Sequence, residues 1–218
     1  AVRRTFAGFA GILGVLGAGN IYVPISPSTS YERAISIAST TSPVAIIADH
    51  DGFNLAMLIA QNSTQPLAII LPEHEMSEVD RGDFAPHKVY DKSDLHQFPQ
   101  KFEPVDVNPA SLAYILFTSS TTGEPKGVPI RQESVVQYVR SMASLYPLRP
   151  TDRCTQLFEL TFDLSGHDMF VTWNAGACLF VPYRGMALFS ADLVIGQELT
   201  VWFSVPSVVA ELMRSRKL

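Results

Sequence analysis

With 218 residues, 47% of them hydrophobic and 17% charged, and a formal net charge of -5, the chain is long enough to bury one sizeable core or two small lobes. A mean hydropathy of +0.16 and a pI near 5.5 exclude a disordered chain, a collagen-like repeat and a basic nucleic-acid binder. Cys154 and Cys178 are the only cysteines, with no CxxC spacing, so neither a disulfide framework nor a structural zinc site is expected, and a reducing, cytoplasmic setting is.

Arg3 and Arg4 followed by FAGFAGILGVLGAG have the outline of a secretory signal, but five glycines between Gly8 and Gly19 make a poor apolar span. A packed helix over Thr5 to Leu16 is the better reading, closed by Gly19 in the left-handed region. Tyr22 and Val23 begin a short extended piece that Pro24 halts. Ser30 can cap a helix over Tyr31 to Ser39, with Glu32 and Arg33 outward and Ala34, Ile35, Ile37 and Ala38 inward. Val44 to Ala48 reads as a buried strand, Leu55 to Ala60 as a helix and Leu67 to Leu71 as a second buried strand. This alternation predicts an α/β domain with a largely parallel sheet flanked by helices.

Between Pro72 and Pro109 nine acidic residues stand against four basic ones, so this stretch carries the whole net charge of -5 and the remainder balances at twelve of each. It is expected to be a solvated connector with one short strand at Val89 and Tyr90. The alternation then resumes: strand at Leu112 to Phe117, helix at Glu133 to Leu145, extended chain at Thr155 to Phe158, helix at Asp168 to Asn174 and strand at Cys178 to Val181. A short helix at Ala191 to Ile195, a strand at Thr200 to Ser204 and a helix opened by Pro206 and running over Ser207 to Arg214 complete the pattern. Arg214, Arg216 and Lys217 suit the negative end of that last helix. The predicted organisation is a first α/β lobe over 1–71, the acidic connector over 72–109, and a second α/β lobe over 110–218.

Chemistry concentrates in LAYILFTSSTTGEPKGV, Leu112 to Val128. An apolar strand runs into five consecutive hydroxyl residues, Thr118, Ser119, Ser120, Thr121 and Thr122, then Gly123, Pro125, Lys126 and Gly127. Hydroxyl and backbone donors with a mobile cation can wrap a polyphosphate; a surface hairpin rich in turn residues is the alternative that composition leaves open. The stretch is not a Walker loop, because Lys126 follows Pro125 and precedes Gly127 where that motif needs GxxxxGK and then Ser or Thr.

This segment resembles the phosphate-binding signature TSGTTGxPKG of the adenylate-forming superfamily: acyl-CoA synthetases, luciferases and peptide-synthetase adenylation domains. One core position departs, with Ser120 where the family has glycine; if that position needs positive φ, serine there costs about 1–2 kcal/mol. Other segments are similar in the same order. GILGVLGAGNIYVPISPSTSYERAISIASTTSPVAIIAD resembles the region around the family's YVPLDP, with Tyr22, Pro24 and Pro27 matching. FDLSGHDMF, Phe162 to Phe170, resembles the FDxSxxExF segment of amino-acid-activating members, and NAGACLFVP and VWFSVPSVVAELM resemble the turn, strands and helix that follow.

The resemblance implies ATP and Mg2+ as cofactors, with Thr118, Ser119, Ser120, Thr121, Thr122, Gly123 and Lys126 on the β- and γ-phosphates and Lys126 as the catalytic contact. It implies that Asp163, as a buried carboxylate, pairs with the amino group of the acid, and that His167 lines the acyl pocket. It further implies a carboxylic or amino acid substrate, with CoA or the phosphopantetheine of a carrier protein as acyl acceptor, and neither nucleic acid nor membrane as partner. The family's YGxTE segment, ribose-binding aspartate, hinge and C-terminal domain have no counterpart among the 218 residues. The chain is therefore expected to be part of the large N-terminal domain, with little or no adenylation activity alone and some self-association through incomplete surface. A nucleotide-binding scaffold without catalysis, marked by Ser120, is the competing expectation.

Overall fold

The computed structural model describes residues 1–99, 101–118, 124–182 and 191–214. The chain divides into two compact units, Ala1–Gln132 and Glu133–Leu218.

In the first unit the order is α1 (Phe6–Gly17), α2 (Tyr31–Thr41), β1 (Ala45–Ile47), α3 (Phe53–Gln61), β2 (Ala68–Leu71), α4 (Glu78–Gly82), β3 (Lys88–Asp91), α5 (Lys92–Leu95), β4 (Leu112–Thr118) and β5 (Lys126–Arg131). Thr5 caps α1 by accepting from the Gly8 amide at 3.1 Å, and Ala7, Gly8 and Ile12 are buried, as a packed helix requires. Gly19 closes it at φ 71, where its amide donates to Leu16 and that of Asn20 to Val15, satisfying carbonyls that a helix end leaves open. Among the described residues no helix is long and apolar enough to cross a membrane.

Ser30 caps α2 through the Arg33 amide, and the helix runs past the expected Ser39 because Ser42 takes the left-handed turn at φ 46. Its buried residues Ala34 and Ile37 join Leu55, Ala56 and Ile59 of α3 over the sheet β1-β2-β3. All pairing in that sheet is parallel, with Ile46 beside Ile69 and Ile69 beside Val89. Ile46, Ile69 and Val89 are buried on one face of the sheet, while Ile47, Ile70 and Tyr90 on the other are half-buried.

The acidic stretch contributes to this core. Phe84 is 1% exposed and Val89 is buried among the same residues, while the carboxylates sit at the rim as caps: Ser77 with Asp80, and Asp91 with Asp94, form reciprocal capping boxes on α4 and α5. β3 extends one residue either side of the expected Val89 and Tyr90.

β4 and β5 form an antiparallel pair, a departure from an otherwise parallel architecture, and Tyr22 bridges β4 at Tyr114 in parallel. β5 is not evident in the sequence: KGVPIR holds Gly127 and Pro129, both unfavourable within a strand. It is tolerated here as the second strand of a two-stranded pair. Phe117 explains Gly127. Facing it in register, the Phe117 ring and the Ile115 side chain lie 3.1 Å from where a Cβ on Gly127 would stand. Any larger residue would lift the aromatic ring that packs on the hydrophobic core.

The second unit contains α6 (Gln132–Leu145), β6 (Arg153–Thr155), α7 (Leu164–Asn174), β7 (Cys178–Phe180), α8 (Ala191–Gly196) and α9 (Pro206–Arg214). β6 pairs in parallel with β7 and, through Cys154, with Val201. The strand expected at Thr200 to Ser204 is this single bridge. β6 starts two residues before the expected Thr155, and α7 starts four before the expected Asp168. Ser165 and Gly166 suggest a break, yet both are buried, and the Ser165 hydroxyl donates to the Phe162 carbonyl at 2.6 Å within the first turn. Arg214 meets Glu211 at 3.0 Å on the surface of α9; the other two basic residues expected at that helix end, Arg216 and Lys217, lie outside the described residues.

Candidate functional site

Of the residues expected to hold phosphate, Thr118 and Lys126 are described; Ser119, Ser120, Thr121, Thr122 and Gly123 lie outside the described residues. Thr118 and Lys126 are the last register pair of the β4–β5 hairpin, so the loop between them starts and ends on hydrogen-bonded strands. Both side chains are exposed, and among the described residues Lys126 makes no ion pair. An ammonium set opposite a hydroxyl by the strand register is a pair of donors of the kind that can contact an anion. The register establishes the two strands on either side of this segment, Leu112–Thr118 and Lys126–Arg131.

The base of the hairpin is held from α2. Arg33, expected to point outward, is half-buried and donates through Nη2 to the Phe117 carbonyl at 3.1 Å, one residue before Thr118. No local pattern reveals this, since the two residues are 84 positions apart.

Asp163 and His167 belong to the second unit. Asp163 is exposed, which corrects the expectation of a buried carboxylate: it stands at the N-cap of α7 and accepts from the Leu164 amide at 2.8 Å. His167 follows one turn later on the same helix. Its Nδ1 lies 2.8 Å from the Tyr138 hydroxyl of α6, and its ring packs at 3.9 Å between centroids on Phe203, which in turn meets Phe158 edge-on. Burial lowers the His167 pKa, so the ring is neutral at pH 7. Burial raises the Tyr138 phenol, with the Asp163 and Asp168 carboxylates adding to the shift, so Tyr138 keeps its proton.

Sequence reasoning passed over Tyr138, Phe203 and Asp168. Asp168 is 2% exposed and accepts from the Leu157 amide at 3.1 Å, fixing the chain that leaves β6. A carboxylate directly before the apolar run Met169, Phe170 and Val171 was the available signal for it. Burial pushes the Cys154 thiol up, away from the range of a nucleophile. Among the described residues no three His, Cys, Asp or Glu side chains converge as a metal cage.

The family model for AMP-binding enzymes matches residues 2–218. The chain belongs to that family. This AMP-binding family member is 30% identical over 180 residues to malpinin synthetase of Mortierella alpina, covering 83% of this chain and 2% of the relative. It is 29% identical over 208 residues to tyrocidine synthase 3 of Brevibacillus parabrevis, covering 93% of this chain and 3% of the relative. Among solved structures it is similar, at 25% identity and a TM-score of 0.82, to the Vibrio cholerae adenylation domain AlmE crystallised with glycyl-adenosine-5'-phosphate. That likeness covers 99% of this chain and 41% of the other. The chain thus spans a small part of the curated relatives and under half of the solved domain, and the mixed α/β architecture of this family member is that of a partial adenylation domain.

Proposed function

We propose that this chain is the phosphate-binding part of an ATP-dependent ligase that activates an amino acid as its acyl-adenylate. The observation that carries the reading is the hairpin register that sets Lys126 opposite Thr118, in a chain that matches the AMP-binding family along nearly its whole length. In the reaction a carboxylate oxygen attacks the α-phosphorus of ATP, the bond from that phosphorus to the bridging oxygen of the β-phosphate breaks, and pyrophosphate leaves. The obstacle is charge: an anion must approach a polyanion, so donors fixed in advance around the phosphates lower the barrier.

Lys126 and Thr118, with the loop residues Ser119 to Gly123, hold the β- and γ-phosphates. Magnesium enters with ATP as part of the substrate and neutralises phosphoryl oxygens. The exposed carboxylate of Asp163 pairs with the ammonium of the acid, and His167 meets its side chain. The acyl group then passes to a thiol, that of CoA or of a carrier protein's phosphopantetheine.

Lys126→Ala tests the nucleotide step. In titrations of the chain with AMPPNP and magnesium, loss of one charge-assisted contact is expected to weaken binding about 10- to 100-fold. Binding that is indifferent to the substitution contradicts the loop assignment. Ser120 favours a second reading, a scaffold that binds nucleotide without turnover: an intact adenylation domain into which this segment is grafted would then bind AMPPNP yet show no amino-acid-dependent pyrophosphate exchange.

A further inference from the structure

Tyr138 lies on α6, outside every segment that suggested a site, yet its hydroxyl is 2.8 Å from Nδ1 of His167. Two further observations bear on that pair. Phe203 lies under the imidazole at 3.9 Å between centroids and 30° between planes, which fixes the ring plane. Among the described residues, Nε2 of His167 has no hydrogen-bond partner.

The tautomer follows from the chemistry of the two groups. A phenol is a good donor and a poor acceptor, since its oxygen lone pair is delocalised into the ring, whereas the pyridine-type nitrogen of a neutral imidazole is a strong acceptor. Nδ1 therefore accepts from Tyr138, and the ring proton resides on Nε2. The neutral state of His167 and the retained proton of Tyr138 agree with this arrangement.

We infer that Tyr138 is a positioning residue that fixes His167 as an Nε2–H donor, so that the amino acid taken by this site carries a hydrogen-bond acceptor in its side chain. This rests on the reading above that Asp163 takes the ammonium and His167 the side chain. One helical turn, about 5.4 Å, separates the two positions along α7, which suits an acceptor at the γ or δ atom of the acid. An apolar side chain of the same shape leaves the donor unpaired and is disfavoured.

The test uses two non-hydrolysable adenylate mimics, the aminoacyl-sulfamoyl adenosines of O-methylserine and norvaline, which differ in an ether oxygen against a methylene. Isothermal titration of the chain is expected to favour the O-methylserine probe by about 3- to 10-fold, the range of one neutral hydrogen bond. Tyr138→Phe keeps the ring and its packing; it is expected to bring the ratio below about 2-fold while affinity for the norvaline probe is unchanged, since only the tautomer is released. His167→Phe is expected to remove the preference as well. Imidazole nitrogen-15 shifts of the unliganded chain should show protonated Nε2 and unprotonated Nδ1. Equal affinities for the two probes, a preference that survives Tyr138→Phe, or a proton on Nδ1 each overturn the inference while leaving the adenylation reading intact. Binding of neither probe overturns that reading and this inference together.

Discussion

Phe84→Ala is expected to destabilise the first unit by about 3–5 kcal/mol, the cost of removing a large aromatic side chain from a packed core. Phe84 is 1% exposed, meets Phe53 edge-on at 5.7 Å between centroids, and belongs to the cluster that covers both neighbours of β2. It sits in the acidic stretch, and a plain solvated connector there would tolerate the change with almost no loss. Hydrogen exchange of the amides in β2 and β3 reads the effect where it arises: protection should fall by at least a hundredfold, since 1.4 kcal/mol is a factor of ten. Unchanged protection would show that Phe84 is dispensable to the core.

The second large effect concerns Asp91, which is 1% exposed at the end of β3. Its Oδ1 accepts from the Ser93 amide at 2.9 Å, the Ser93 hydroxyl at 2.6 Å and the Asp94 amide at 3.1 Å. Its Oδ2 accepts from the Met76 amide at 2.9 Å and meets Arg81 Nη2 at 2.7 Å. Asp91→Ala orphans these donors and is expected to cost about 3 kcal/mol. Asp91→Asn should be nearly as costly, because its NH2 group would face a donor on whichever side it turned. Equilibrium unfolding in urea, followed by far-ultraviolet circular dichroism, measures both.

The same contacts give a pH dependence. The Ser93 hydroxyl, followed by the Met76 and Asp94 amides and the Arg81 guanidinium, holds the Asp91 carboxyl well below the usual range against the opposing effect of burial. A depressed folded pKa makes the contribution complete above the unfolded value of about 3.9 and removes it as the pH falls toward the folded one. The wild-type first unit should therefore lose stability below about pH 4, and the Asp91→Ala variant should show a shallower loss over the same window.

What the sequence reveals and what it hides divides along physical lines. Runs such as Leu67 to Leu71 declare themselves because a short unbroken apolar run between polar segments is the signal of a strand packed in a core, and Ser30 and Gly19 mark helix ends because few residues can do so. β5 is hidden because its place depends on the long apolar strand it pairs with and not on its own composition. The core role of the acidic stretch is hidden by averaging: nine carboxylates outweigh Phe84 and Val89, which point the other way. Within the candidate site, the hairpin ends Thr118 and Lys126 and the helix residues Asp163 and His167 lie in contiguous motifs and are legible. Arg33, Tyr138 and Phe203 reach their partners across large sequence separations, and only the folded chain brings them there.

The central claim is that the turn between β4 and β5 folds around the triphosphate of ATP. A crystal structure of the chain with AMPPNP and magnesium tests it most directly. The β- and γ-phosphates are predicted to lie within hydrogen-bond distance of the Thr118 hydroxyl and the Lys126 ammonium; a nucleotide bound elsewhere, with those two groups facing solvent, would contradict it.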